Sequence, residues 1–99
     1  MSENTIIIKD GIKTLVDIRE YITDVVIPNS VTYIGWSTFS NCTSLTKISI
    51  PNSVTEIGWK AFKCCLSLKA IYIDKEKDSL NLRCAEIPEN CKVYWRGEF

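Results

Sequence analysis

Histidine is absent from this 99-residue sequence, and neither sign of charge is in excess. Without histidine, the commonest general base and the commonest metal ligand are both missing. Twelve basic residues balance twelve acidic residues, so no strongly basic surface is available for phosphate backbones or anionic lipids. We therefore expect no enzyme activity, no cofactor, no metal site and no nucleic-acid partner.

Long hydrophobic runs are also missing. The apolar run near the N-terminus, Ile6–Ile8, has only three residues and no basic segment before it. A secretory signal has an apolar core of about 7–15 residues, and a membrane-spanning helix needs about 20. We expect no membrane insertion and a cytoplasmic location, whereas a surface or secreted location would apply if a leader had been removed. The odd number of cysteines, five, agrees with reduced cytosolic thiols.

Two consecutive segments of the chain are nearly identical. Residues 27–50 read IPNSVTYIGWSTFSNCTSLTKISI and residues 50–73 read IPNSVTEIGWKAFKCCLSLKAIYI, at a constant offset of 23 residues. A fixed period of about 20–29 residues is typical of a solenoid, in which each unit buries its apolar face against the next. The repeat predicts that equal positions of successive units lie above one another.

Each repeat contains a strand pattern followed by an arm. In residues 45–50, Ile48 and Ile50 alternate with polar residues, which predicts a short half-buried strand that Pro51 ends. Gly58 is predicted to take a special backbone conformation or to allow a close approach. The arm 59–65 is predicted to be a helical or 3₁₀ turn that packs Phe62 inward.

These observations predict one α/β solenoid domain over residues 1–99. Residues 1–26 are predicted to be an N-terminal cap or degenerate repeat, 27–73 two full repeats, and 74–99 a degenerate repeat with a C-terminal cap. We expect about four turns of short parallel strands joined by irregular or helical-turn arms. Terminal repeats deviate because their outer faces meet water.

The pattern IPxSVTxIGxxAFxxCxSLxxIxI resembles the BspA-type leucine-rich repeats of bacterial and protist proteins. The match is close over residues 22–73 and holds only in register elsewhere. The resemblance implies a short leucine-rich-repeat stack. It also implies a role in binding other proteins, because family members are mostly large surface or secreted proteins that do so. This chain is much shorter than those relatives.

The outward strand positions are the first candidate binding site, because leucine-rich repeats place them on a concave sheet. Tyrosine at such positions offers a large contact area at low entropic cost. The alternative is an ordinary solvated sheet face. Lys92 and Tyr94 are less certain members, since KVYW lies one residue out of register with AIYI. The predicted positions are Asp24, Val26, Lys47, Ser49, Ala70, Tyr72, Lys92 and Tyr94.

A tryptophan column is the second candidate site. Trp36 and Trp59 share one repeat position, and Leu82 comes next at the same spacing. Together they would form an apolar ridge suited to homodimerisation. The alternative is that each ring covers its neighbour and contributes only to stability.

The cysteines are predicted to be structural. Cys42 and Cys65 repeat at 23 residues and therefore share a buried column, whereas Cys64 points elsewhere. Cys84 and Cys91 match no CxxC spacing, and no zinc site is predicted.

The sequence as a whole predicts a non-catalytic protein–protein interaction module whose partner is another protein. One form of this is a small inhibitor that occludes its partner's surface. The alternative is a self-associating structural unit, such as a repeat in a virion or on a cell surface. An enzyme is the third and weakest hypothesis.

Overall fold

The structure is a computed structural model that describes residues 5–7 and 23–99. Within these ranges every regular element is a β-strand, and no helix is present. Residues 1–4 and 8–22, most of the predicted N-terminal cap, lie outside the described residues. The strands are β1 (Thr5–Ile7), β2 (Asp24–Val26), β3 (Tyr33–Ile34), β4 (Lys47–Ile50), β5 (Glu56–Ile57), β6 (Ala70–Ile73) and β7 (Lys92–Trp95).

The strands form two parallel sheets. The larger sheet has the order β1-β2-β4-β6-β7, and β3 pairs with β5 in a separate two-stranded sheet. Each connection from β2 to β4, β4 to β6 and β6 to β7 makes one turn of the solenoid. The parallel stacking predicted from the repeat is therefore confirmed. The described part contains about three turns, so the predicted count of about four is not supported.

The register of the larger sheet follows the sequence period until its last step. Lys47 pairs with Asp24 on one side and with Ala70 on the other, both at 23 residues. Ala70 then pairs with Lys92, at 22 residues. One residue fewer between β6 and β7 brings KVYW into line with AIYI. The one-residue offset between KVYW and AIYI in the sequence therefore does not disturb strand pairing, because the shorter connection compensates for it.

The core consists of apolar columns that run through successive turns. Alternate strand residues point inward because side chains alternate across a strand. Strand β4 is followed by Pro51, which has no N–H to donate. At the equivalent position of the next turn, the N–H of Asp74 donates a 2.9 Å hydrogen bond to the Ile50 carbonyl. Inward columns include Val25/Ile48/Ile71, Ile27/Ile50/Ile73, Val31/Val54, Ile34/Ile57/Leu80, Phe39/Phe62/Ala85, Cys42/Cys65 and Leu45/Leu68.

The arms are not helical, which corrects the prediction for residues 59–65. Each arm carries two left-handed residues four positions apart: Ser37 and Asn41 in the first (φ 53° and 65°), Lys60 and Cys64 in the second (φ 58° and 61°). A right-handed helix cannot continue through such residues.

Hydrogen bonds between turns replace helical ones in the arm. The N–H groups of Ser37, Phe39 and Asn41 donate to carbonyls of the next turn, at 3.0, 2.9 and 2.8 Å. The intervening Thr38 and Ser40 donate locally, three residues back. Because alternate N–H groups point to the neighbouring turn, the arm behaves as a third wall of the solenoid.

Gly58 lies where two turns approach each other closely. Its N–H donates a 2.7 Å hydrogen bond to the carbonyl of Ile34. A Cβ at Gly58 would lie only 2.9 Å from the carbonyl carbon of Gly35 and from the backbone nitrogen of Trp36. Close approach, rather than a positive φ, is therefore the reason for glycine here, and it brings Trp36 and Trp59 together.

Candidate functional site

The predicted outward strand residues form two rows on the larger sheet, which we call the strand face. In the first row Asp24, Lys47, Ala70 and Lys92 pair in sequence. In the second row Val26, Ser49, Tyr72 and Tyr94 pair in the same way. One row thus carries an acid and two bases, and the other carries a valine, a serine and two tyrosines.

Exposure differs along these rows. Val26 is 50% exposed, although it lies in a strand, whereas Ala70 is only 9% exposed. Ala70 therefore offers a partner little contact area, contrary to the prediction. Ala70 pairs with Lys47 on one side and Lys92 on the other, and its methyl group is the shortest side chain of the row.

Three aromatic rings meet at one end of the strand face. Tyr72 and Tyr94 stack with ring centroids 5.2 Å apart and planes 17° apart. The ring of Phe99 meets Tyr72 edge-on, with centroids 5.1 Å apart, and Phe99 is 65% exposed. Sequence reasoning did not place Phe99 on this face. Trp95, four residues earlier, is buried against the core instead.

The last residues hold Phe99 in this position. Arg96 donates from Nε to Asp74 Oδ1 at 2.8 Å and from Nη2 to the Asp74 carbonyl at 2.7 Å. The N–H of Trp95 donates to Glu98 Oε1 at 2.8 Å. Gly97 takes a positive φ of 91°, which turns the chain back. The Arg96 contacts join the residue after β7 to the residue after β6, whereas the Trp95–Glu98 bond is local to the C-terminal turn.

A groove of about 230 Å³ lies beside these rings. Tyr72 and Phe99 border it on one side and Val26 on the other. Pro51 and Asp74 also line it. The groove is mainly apolar, so it could accept an apolar side chain of a partner.

The two repeat-related tryptophans lie side by side on the arm. The rings of Trp36 and Trp59 have centroids 6.0 Å apart and planes 70° apart, and the side chains are 72% and 50% exposed. The predicted third member of this column, Leu82, packs partly buried against the core instead. The predicted ridge therefore contains two residues and not three.

A cleft of about 310 Å³ opens between the two repeats next to these tryptophans. It is lined by Tyr33, Trp36, Thr55, Glu56, Ile57, Gly58, Trp59, Asn81 and Cys84. The ammonium group of Lys60 lies 4.1 Å from the centroid of the Trp59 ring. The cleft thus combines aromatic rings with a carboxylate, and the sequence did not indicate it because its members come from separate turns.

The cysteines divide by burial as predicted. Cys42 and Cys65 are buried, while Cys64 and Cys84 are exposed. The Cys65 thiol donates to the Phe39 carbonyl at 2.9 Å. Burial, reinforced by the neighbouring Cys42, raises the pKa of Cys65 to about 12, and burial raises the pKa of Cys91 to about 11. Both thiols therefore stay protonated and poorly nucleophilic at neutral pH.

Among residues 5–7 and 23–99, no three histidine, cysteine, aspartate or glutamate side chains are placed to share a metal ion. In the same ranges, no helix has the length and apolarity to cross a membrane.

Comparison with known proteins places the chain in a family. Neither the curated proteins nor the solved structures that were compared include a match. A family model described as "BspA type Leucine rich repeat region (6 copies)" matches residues 18–93, which is most of the chain. The repeated columns of the core lie within this span. The protein therefore belongs to the BspA-type leucine-rich-repeat family.

Proposed function

We propose that this chain is a non-catalytic protein-interaction module that binds its partner through the strand face. Proteins of this repeat class are interaction or surface repeat modules and are generally non-catalytic. The observation that carries the proposal is the aromatic cluster of Tyr72, Tyr94 and Phe99 beside an apolar groove. Aromatic anchors next to a pocket are typical of the centres of protein interfaces.

The chemistry of the two rows defines the partner that would fit. Lys47 and Lys92 are exposed on one row, so the partner should supply carboxylates there. The groove between Val26 and Tyr72 should receive an apolar side chain. If the partner is an enzyme, a domain of this size could inhibit it by covering its surface.

Tyr72→Ala tests this surface directly. We expect the variant to bind the purified partner about 5–30-fold more weakly, because an aromatic anchor contributes roughly 1–2 kcal/mol. The partner would first be identified by affinity capture from native extract, and affinities would then be measured by calorimetry. Thermal unfolding should show little loss of stability, since Tyr72 lies on the outside of the sheet.

Trp36→Ala is the matched control, because it removes an exposed aromatic side chain from a different wall. It should leave the affinity for the partner unchanged. If Tyr72→Ala binds as well as the original chain, or if Trp36→Ala is the variant that loses affinity, the strand face is not the binding surface.

Self-association through Trp36 and Trp59 is the second candidate function. Their large exposure and mutual contact favour it, since an exposed apolar patch often marks an interface. Sedimentation velocity over a hundredfold range of concentration tests it. Concentration-dependent dimers that Trp36→Ala abolishes would support this function, and a monomer throughout would exclude it.

A further inference from the structure

We propose that the cleft between the two repeats binds compact organic cations of the alkylammonium class, with quaternary ammonium groups preferred. Three aromatic side chains and one carboxylate line it: Tyr33, Trp36, Trp59 and Glu56. The site is on the arm side and is separate from the strand face, so it does not depend on the partner proposed above.

The four side chains come from two repeat positions. Tyr33 and Glu56 are directly paired between β3 and β5, and Trp36 and Trp59 are in ring contact at 6.0 Å. The surrounding segments VTYIGW and VTEIGW are otherwise the same. The one substitution between them places a carboxylate beside an aromatic ring, where a simple repeat would have placed two tyrosines.

Aromatic faces and a carboxylate both attract a positively charged ligand. The π-electron face of an indole or phenol ring attracts a cation, and tryptophan does so most strongly. Lys60 already makes such a cation–π contact, since its ammonium nitrogen lies 4.1 Å from the centroid of the Trp59 ring. Glu56 adds a negative charge at the same cleft. An anion or a neutral apolar group would gain neither contribution.

Quaternary ammonium groups fit this cleft better than small inorganic cations. Their methyl groups contact ring faces while the positive charge stays close, and recognition by aromatic cages is the known use of this geometry. The volume of about 310 Å³ is at the lower end of ligand-binding clefts, which suits a small ligand.

The frame of the cleft is rigid where the ligand would lie. Gly58 contributes to the lining, and its 2.7 Å hydrogen bond to Ile34 joins the two turns. Because the backbone is held from both sides, the points from which the aromatic side chains extend are fixed before a ligand arrives. Such preorganisation lowers the cost of binding.

Choline is the first probe, and 3,3-dimethylbutan-1-ol, which has the same shape without the charge, is its control. Binding would be followed by indole fluorescence and calorimetry, with sodium chloride keeping the ionic strength constant. We expect saturable choline binding and roughly tenfold weaker binding of the neutral analogue, the ratio that ~1.4 kcal/mol gives. Equal binding of the two probes, or no binding of choline, would overturn the proposal.

Variants locate the site. Trp36→Ala and Glu56→Gln should each weaken choline binding several-fold, and both residues are exposed, so the fold should tolerate the changes. Phe99→Ala removes an exposed aromatic ring from the strand face and should leave choline binding unchanged. Choline binding that survives both cleft variants, or that is lost only in Phe99→Ala, would contradict the assignment.

A second probe distinguishes two sources of the same chemistry. Nε-trimethyl-lysine amide carries the quaternary ammonium group on a lysine side chain, whereas choline carries it on a small free molecule. Tighter binding of the lysine derivative would assign a methylated lysine as ligand, and tighter choline binding would assign a free cation. The affinity should not vary with protein concentration, which separates this site from self-association at the same tryptophans.

Discussion

Two aromatic columns run through the same arm and differ in almost every physical respect. Phe39 and Phe62 stack with centroids 5.7 Å apart and planes 5° apart, and both are fully buried. Trp36 and Trp59, three residues earlier, meet at 70° and are largely exposed. Both pairs have the same spacing of 23 residues, so the spacing alone does not assign their roles.

The difference shows what the solenoid imposes and what it leaves free. Hydrogen bonds between turns, such as Phe39 N–H to Ala61 at 2.9 Å, hold equal positions in register. Inside, close packing on all sides forces the phenyl rings into the same orientation. Outside, solvent leaves the indoles free to tilt and available to a ligand. The inner column should therefore govern stability, and the outer column should govern binding of the cation proposed for the cleft.

Among the variants that test this comparison, Phe62→Ala should lose the most unfolding free energy. Truncating a fully buried aromatic side chain costs about 3–5 kcal/mol, which is a large part of the stability of a small domain. Chemical denaturation would measure the loss. Trp59→Ala, one position of the outer column, should cost less than about 1 kcal/mol. Equal losses in the two variants would show that the columns do not differ as described.

Gly58→Ala should have the next largest effect. The new Cβ would lie 2.9 Å from backbone atoms of Gly35 and Trp36, so the two turns must move apart. We expect a loss of about 1–3 kcal/mol in unfolding free energy and altered indole fluorescence.

Gly35→Ala is the repeat-matched control for this prediction. A Cβ there would meet only side-chain atoms, at 3.4 Å from Thr38 Oγ1 and 3.6 Å from Tyr33 Cε2. The loss should stay below about 1 kcal/mol, since no backbone has to move. A greater loss in Gly35→Ala than in Gly58→Ala would argue against the close contact between turns.

Cys64→Asn should have the smallest effect, and it should be stabilising. Cys64 takes a left-handed conformation with φ 61°, and the equivalent residue in the preceding repeat is Asn41, with φ 65°. Asparagine tolerates this conformation better than cysteine, so a gain of roughly 0.5–1 kcal/mol is expected in thermal unfolding. Cys84→Asn, at an exposed position whose φ is not positive, should bring no such gain. A gain in both variants would remove backbone strain as the explanation.

The sequence predicted the columns well because its period is a direct record of stacking. Ile48 and Phe62 are buried, Cys42 and Cys65 share a buried column, and successive strands run parallel, all as the repeat indicated. These features depend only on alternation and spacing, which local sequence contains. The sequence also predicted a special backbone requirement at Gly58, and the structure shows that this requirement is the close approach of two turns.

The prediction of helical arms failed for a reason that lies between turns and not within the arm segment. Ser37 and Lys60, at equal positions, are both left-handed without being glycine. Their conformation follows from the hydrogen bonds that each arm makes to the next turn, a benefit absent from any isolated segment. Leu82 also departs from its predicted place in the exposed tryptophan column. The equivalent position is exposed in two turns, whereas Leu82 packs against the core in the third.

By itself, the sequence determined the length of the repeat, the inward columns and the membership of a repeat family, because hydrophobic periodicity is encoded residue by residue. Only the tertiary structure decided which outward side chains meet. Phe99 reached Tyr72 through a reversal of the chain at Gly97, and Glu56 came to lie beside Tyr33 and the two tryptophans. Such groupings join residues from different turns, and distances between turns are set by packing and hydrogen bonds rather than by the order of the chain.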